Sequence, residues 1–439
     1  MRKLIIGIFS LCKRAIKADI VKVFSFTAMS TLVRMLTGLI SVKVVASIIG
    51  PAGVALVGQL NNFASITMSL SSGGINSGIT KYVAEYKEDT NQVKSLLSTA
   101  LRITVFCSLT VGLLMILFHS FLSRHIMLSP EYGYVFIIFG CTVLLYALNM
   151  MLTSIINGFK QFKKYVAINI ANSIIGLIFT VSFVLTLGLK GALISAVTYQ
   201  SVMLFITLWM IRKLPWINWK YFKYKLSLGV SKKYFRYTMM TFISAATVPV
   251  SQILLRGYVI SEISPVEAGW WEAMNRVSGA YLTVITSSFG VYYLPRLSEL
   301  TNPIELRREI FKAYKVIIPM LIVGFILVYF LRFIVIRILY TPDFLPMENL
   351  FIWQLFGDFF KICSWLLAFL MLAKSMTKAF ITTEIVFAFT FVGLGLIFMQ
   401  RNGVVGITQG YLVNYIGYTL CMVFIFRNLI FNKSLPYDK

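Results

Sequence analysis

Arg34 stands inside a run of about two dozen apolar residues, 24–49, that also carries Lys43. Three further cations, Arg256, Arg276 and Lys361, lie in similar apolar runs. A cation at the centre of a membrane helix costs roughly 2.5–3.5 kcal/mol on insertion scales. Five of them facing lipid would cost roughly 12–17 kcal/mol, as much as the whole stability of a typical domain. Such residues must face protein, water or a ligand, and the ligand they favour is anionic.

Depth separates the five. Arg34 is about ten residues from the inner end of its run, roughly 15 Å deep at the helical rise, too far to reach either surface. It has no acidic residue on its own helix. Lys43, half a turn round from Arg34, is close enough to the outer end to snorkel, and so is Arg256. Glu272 and Arg276 are four apart, and Asp358 and Lys361 three apart, so each couple shares a helical face. Either couple forms an internal ion pair, or it opens and closes as a substrate or proton arrives. Asp358 is the best acidic candidate for ion coupling and Glu272 the second. Glu384 lies near the inner surface and reads as interfacial. The run GQLNNFASITMSLSSGGINSG adds Asn61, Asn62 and Asn76 among small residues. Close helix packing through small residues explains it, and a polar lining for sugar hydroxyls is the alternative.

The elements that position these residues are helices. The chain has 439 residues, 58% of them hydrophobic. Twelve stretches can cross about 30 Å of hydrocarbon. They are 24–49, 54–79, 96–118, 133–157, 165–187, 191–211, 237–260, 269–293, 314–338, 349–373, 380–399 and 404–426. Long continuous runs exclude ten-residue alternating strands. The fold class is therefore an all-α polytopic membrane protein. Its parts are an amphipathic cytoplasmic segment (1–23), an N-lobe of six spans (24–211), a basic cytoplasmic linker (212–236), a C-lobe of six spans (237–426) and a cytoplasmic tail (427–439).

The formal net charge of +25 suggests a nucleic-acid partner until the cations are placed. Most fall in the loops and tails on one side, which is the positive-inside pattern and puts both termini in the cytoplasm. The linker, rich in Lys, Arg, Trp and Tyr, reads as an anchor on the anionic inner leaflet, with capture of a lipid headgroup as the alternative. No nucleic-acid partner is expected. Cys12, Cys107, Cys141, Cys363 and Cys421 are scattered, and His119 and His125 lack clustered companions, so neither a metal nor a cofactor is expected. No phosphate-binding GxxxxGK[ST] loop occurs and no nucleophile–base arrangement stands out, so neither an ATP-driven pump nor an enzyme is indicated.

The two halves align at an offset of about 215 residues. Lys81 matches Arg296, Lys163 matches Lys378 and Gly191 matches Gly406. Six spans per half give both halves the same orientation, a parallel repeat about an axis along the membrane normal. Two such lobes around a central cavity would transport by rocking against each other.

STLVRMLTGLISVKVVASIIGPAG, followed by GGINSGITKYVAEY, resembles the start of the Wzx-type O-antigen translocases and enterobacterial common antigen (lipid III) flippases. AYLTVITSSFGVYYLPRLSEL, WQLFGDFFKI and AKSMTKAFITTEI extend the resemblance over nearly the whole chain. In that family Arg34 and Lys43 correspond to basic positions, and Asp358 and Lys361 stand in a GDxxK stretch. Arg276 has no counterpart. The resemblance implies the two-lobed, MATE-like fold of the multidrug/oligosaccharidyl-lipid/polysaccharide exporter superfamily. It also implies a substrate, an oligosaccharide on undecaprenyl diphosphate moved from the cytoplasmic to the periplasmic leaflet of the bacterial inner membrane, with a polysaccharide polymerase and chain-length regulator as possible partners. A multidrug cation antiporter of the same superfamily is the competing function. It would favour an acidic cavity, against the cations here.

Overall fold

The computed structural model describes residues 2–224, 228–289, 293–300, 302–374 and 376–431. Residues 225–227 of the basic linker and 432–439 of the tail lie outside the described residues, as do the side chains of 2–28, on which the amphipathic reading of the N-terminal segment depends. Fourteen α-helices are described: α1 (Arg2–Ser71), α2 (Asn76–Tyr86), α3 (Thr90–Leu117), α4 (His119–Ile126), α5 (Gly133–Gly158), α6 (Phe162–Ile211), α7 (Trp219–Phe222), α8 (Leu228–Glu262), α9 (Pro265–Ser288), α10 (Leu294–Glu299), α11 (Pro303–Leu339), α12 (Glu348–Ala373), α13 (Thr377–Ile425) and α14 (Arg427–Phe431).

Seven helices among the described residues are long and apolar enough to cross a membrane. Three of the seven are broken once, α1 at Gly50, α6 at Gly188 and α13 at Asn402–Gly403. Each therefore covers two of the runs read from the sequence as spans, and α8 and α9 cover the seventh and eighth runs without being among the seven. Large apolar side chains such as Phe106, Phe330 and Phe389 are exposed along these helices, as a lipid-facing surface requires. The chain is a polytopic membrane protein.

The breaks carry the repeat into three dimensions. Gly188 has φ 57 and ψ −131, and Gly403 has φ 55 and ψ −143. Their sequence numbers differ by the offset of about 215. Only glycine adopts this backbone freely. A second matching detail follows from it: a Cβ on Gly191 would sit 1.8 Å from the Phe183 carbonyl oxygen, and one on Gly406 would sit 2.3 Å from that of Phe398. Both glycines let the chain turn back on itself.

By packing, the chain divides into two units. Unit 1 is residues 1–44, 67–119 and 133–241, and unit 2 is residues 45–66, 120–132 and 242–439. In unit 1, α5 packs on α2, α3 and α6. Gly112 and Gly140 bring α3 and α5 so close that a Cβ on either would meet the other's carbonyl oxygen at 2.6 and 2.7 Å. Its buried core includes Ile79, Leu96, Leu97, Ile155 and Ile156. In unit 2, α12 packs on α9, α11 and α13, around Leu297, Leu366, Leu367, Met371 and Met422. The stretch 45–66, around the break in α1, packs within unit 2. Gly269 approaches Pro51 so closely that a Cβ there would lie 2.0 Å from the Pro51 carbonyl oxygen.

Candidate functional site

The polar interior of unit 2 holds two connected sets of side chains. The first joins α8, α9 and the second arm of α1. Arg256 is fully buried and donates to Glu272 at 2.5 Å and to the Gln59 side-chain oxygen at 3.3 Å. Gln59 in turn donates to the Ile253 carbonyl, 3.0 Å. The second carboxylate oxygen of Glu272 accepts from Arg276 at 2.8 Å. One carboxylate thus holds two guanidinium groups, and Arg256 also lies over the Trp271 ring. Gly58 makes room for this: a Cβ there would lie 2.3 Å from the Glu272 carboxyl carbon.

This geometry differs from the snorkelling expected of Arg256. Its counter-ion comes from the next helix rather than its own, so the charge is satisfied where it stands. The Glu272–Arg276 couple does form, as a shared pair rather than a private one. The Nε of Arg256 and Nη2 of Arg276 are buried without a hydrogen-bond partner.

The second set surrounds Asp358 on α12, which is fully buried. Its carboxylate accepts from Ser278 (2.7 Å), from Tyr281, from Tyr411 (2.7 Å) and, at 3.4 Å, from Gln354. An ionised carboxylate is acceptor-only, and three hydroxyls with one amide occupy most of its acceptor sites. Lys361 donates to the Tyr411 hydroxyl at 3.0 Å. Asp358 and Lys361 are therefore joined through Tyr411, and among the described residues they make no direct ion pair. The spacing of three puts them on one face, but the phenol arriving from α13 lies between them. Gly357 accommodates its ring, since a Cβ there would be 2.3 Å from Tyr411.

A cavity of about 260 Å³ opens beside this set, within unit 2. Lys361 faces it from a cage formed by the rings of Trp365, Tyr411 and Tyr415, each centroid 5.0–5.3 Å from its nitrogen. Glu384 lines the same cavity and is half-buried rather than interfacial, with the Tyr418 hydroxyl at 3.5 Å. Thr247 Oγ1 and Asn275 Nδ2 line it too and are buried without a partner. The cavity presents an ammonium, a carboxylate and uncommitted hydroxyl and amide groups. It can hold water or a small polar ligand.

Residues 20–301 match the family of polysaccharide biosynthesis proteins. The chain is also 30% identical over 409 residues to the lipid III flippase of Escherichia coli (strain K12), and equally to that of Shigella flexneri, covering 92% of this chain and 97% of each relative. The chain belongs to the polysaccharide biosynthesis protein family. Its fold is that of the exporter superfamily inferred from the sequence. A multidrug resistance MATE family transporter in an inward-facing conformation superposes with a TM-score of 0.75 at 14% identity, over 91% of this chain and 96% of that one. The lipid II flippase MurJ gives a TM-score of 0.70 at 15% identity, over 93% and 87%.

The remaining predicted residues are scattered on this family fold. Arg34 is exposed on the first arm of α1, and no ion pair to it forms among the described residues. Lys43 is half-buried on the same arm. Asn61 is exposed, and Asn62 is half-buried with its Nδ2 lacking a partner. Asn76 does not lie in the second span. The span ends at Ser71, Gly73 and Gly74 turn the chain at φ 63, and Asn76 opens α2. Among the described residues no group of three His, Cys, Asp or Glu could hold a metal ion. Sequence reading missed Tyr281, Tyr411 and Glu384 as site residues. For the tyrosines no sequence signal existed, because a phenol in an apolar helix reads as core.

Proposed function

We propose that this protein is a flippase that carries an oligosaccharide on undecaprenyl diphosphate from the cytoplasmic to the periplasmic leaflet of the bacterial inner membrane. Two six-helix lobes, 24–211 and 237–426, would alternate access to a central cavity, with both termini in the cytoplasm. The family, the lipid III flippase relatives and the MurJ-like fold support this reading. The protein is a transporter and not an enzyme.

The observation that carries the reading is the contrast among the five cations. Arg256 and Arg276 are held by Glu272, and Lys361 is held by Tyr411. Arg34 is exposed in mid-span with its guanidinium committed to no carboxylate. A diphosphate needs such a group to cross hydrocarbon, and a guanidinium fork matches its oxygens two at a time. In this scheme Arg34 is the diphosphate's mid-membrane partner and Lys43 its companion toward the outer side. Arg256, Arg276 and Lys361 act on the substrate when their internal bonds open. Asn61, Asn62 and Asn76 meet sugar hydroxyls, and Glu272 and Asp358 couple ion movement to those openings. A polymerase and a chain-length regulator would receive the product.

The test is polysaccharide display in a strain lacking the chromosomal gene and carrying variants on a plasmid. Arg34→Ala is expected to abolish surface polysaccharide while the protein remains in the membrane at parental level, and Arg34→Lys to restore part of it. Parental display by Arg34→Ala would overturn the role of Arg34. Absence of any accumulated lipid-linked saccharide in the deletion strain would overturn the function.

A further inference from the structure

A second cavity lies on the opposite side of α12 from Asp358. It is a furrow of about 530 Å³ between α11 and α12, almost wholly apolar, walled by Phe325, Tyr329 and Phe330 from α11 and by Leu355, Phe356 and Phe359 from α12. From Ile322 to Phe330 it follows α11 for about 12 Å. Arg332 follows Phe330 by two residues on α11 and packs on Tyr329, one of the furrow's wall residues. The guanidinium lies 4.2 Å from the Tyr329 centroid and 4.4 Å from that of Phe333, and it donates to the Tyr329 carbonyl at 2.8 Å. Among the described residues its one acidic contact is Glu348, the first residue of α12, at 3.9 Å. Arg332 precedes the end of α11 by seven residues, about 10 Å.

We propose that this furrow docks the tail of a single-chain polyprenyl phosphate lipid, with the phosphate on Arg332. Three properties of the furrow carry the assignment. Its lining is almost wholly apolar, so a hydrocarbon chain fits it without leaving polar groups of its own unsatisfied. The axes of two packed helices are about 8–10 Å apart, so the furrow between them admits one chain, whereas a glycerophospholipid brings two. Arg332, stacked on two rings and only loosely held by Glu348, keeps donors available for an anion at the mouth. The choice of a polyprenyl lipid rests also on the flippase reading. α12 would then carry a lipid tail on one face and Asp358, Gln354 and Lys361 on the other, so that tail binding and the polar network bear on the same helix.

The test is photo-crosslinking of full-length protein in phosphatidylcholine nanodiscs, with Phe356→p-benzoylphenylalanine as the reporter. Three probes are compared: undecaprenyl phosphate, undecaprenol and phosphatidylglycerol. Undecaprenyl phosphate is expected to label most, and Arg332→Ala to reduce its labelling roughly tenfold, or 1.4 kcal/mol at 25 °C, toward the undecaprenol level. Arg332→Lys is expected to fall between. Leu355→Trp, which fills the furrow without altering Arg332, is expected to remove labelling by all three. Equal labelling by the three probes, or strong labelling by phosphatidylglycerol, would mean bulk lipid only and overturn the proposal. Unchanged labelling in both Arg332→Ala and Leu355→Trp, with parental melting temperatures, overturns it as well. Polysaccharide display separates this inference from the function on which it rests. Specific labelling in a protein whose deletion leaves display intact sustains the docking site and removes the flippase reading. Flipping without specific labelling does the reverse.

Discussion

Unit 1 and unit 2 share a repeat and differ in what they bury. Unit 1 has an apolar core and leaves its mid-span arginine, Arg34, exposed. Unit 2 buries Arg256, Glu272 and Asp358 and satisfies them through α1, α8, α9, α12 and α13. The backbone features that repeat are the ones geometry demands: the glycine breaks at 188 and 403 and the turning glycines at 191 and 406. The chemistry has not been copied. The two halves share these joints and differ in what they bury. A free cation suits a residue that meets a passing anion, and an ion-paired network suits residues that must stay put until something displaces a partner.

The largest effect should come from breaking the ion-paired side of this contrast. Glu272→Leu strands two guanidinium groups, one of them fully buried, and a buried pair that loses one partner costs about 3–5 kcal/mol. A marked fall in melting temperature in detergent is expected. Arg34→Ala should leave the melting temperature within error while abolishing transport. If both variants destabilise equally, the two units do not divide labour as described. Replacing Arg256 with Met in the Glu272→Leu background should recover part of the loss, because one uncompensated charge goes with it.

Next in size are the joints. Gly188→Ala and Gly403→Ala each force a Cβ residue into a backbone region that costs about 1–3 kcal/mol. No atom lies within 4 Å of a Cβ at Gly188, and at Gly403 the nearest, a Glu267 carboxylate oxygen, is 3.7 Å away. The cost is therefore conformational and should be about equal at the two sites. Unequal losses measured by chemical denaturation would show that the two joints are not equivalent.

Smaller still is Tyr411→Phe, which removes the hydroxyl linking Lys361 to Asp358 and leaves a donor of Lys361 and an acceptor of Asp358 unserved, about 1–3 kcal/mol. Transport is expected to fall more than stability does, because Lys361 then faces the cavity held only by aromatic rings. Equal stability and parental transport would reduce Tyr411 to packing.

Much of this was legible in the sequence. Apolar run length anticipated the seven long apolar helices, three of them broken into two arms, and the offset of about 215 residues matches the spacing of the breaks at Gly188 and Gly403. The Glu272–Arg276 contact followed from spacing of four on one helix, because a helix places those side chains together whatever surrounds it. Arg256 was misread because its partners are 16 and 197 residues away, and depth alone cannot reveal a partner on another helix. Asp358 and Lys361 were misread for a related reason. Helical spacing brought them to one face, but Ser278, Tyr281 and Tyr411, 80, 77 and 53 residues distant, decide what the carboxylate touches. Local periodicity reports one helix at a time, while a buried site in a bundle is made by several.

The smallest predicted difference lies at the helix caps that open the third span of each half. In unit 1, Asp89 caps α3, its carboxylate accepting from the Asn91 and Gln92 amides at 3.0 and 3.1 Å. In unit 2 the matching cap of α11 is Asn302, accepting from the Ile304 amide at 2.8 Å. The two caps do the same work with different chemistry, since only Asp89 titrates. The Gln92 amide bond leads in holding its carboxyl below the usual carboxylate value of 3.8, with Asn91 adding to it and partial desolvation opposing. A carboxyl whose folded value is depressed contributes stability above its unfolded value and loses that contribution as pH falls through the folded one. Amide exchange protection at Asn91 and Gln92 should therefore decline below pH 3.8, while that at Ile304 holds steady. Asp89→Asn should make the α3 cap behave like the α11 cap. Protection that falls in parallel at both caps would trace the acid response to a wider loosening of the bundle and remove the distinction between them.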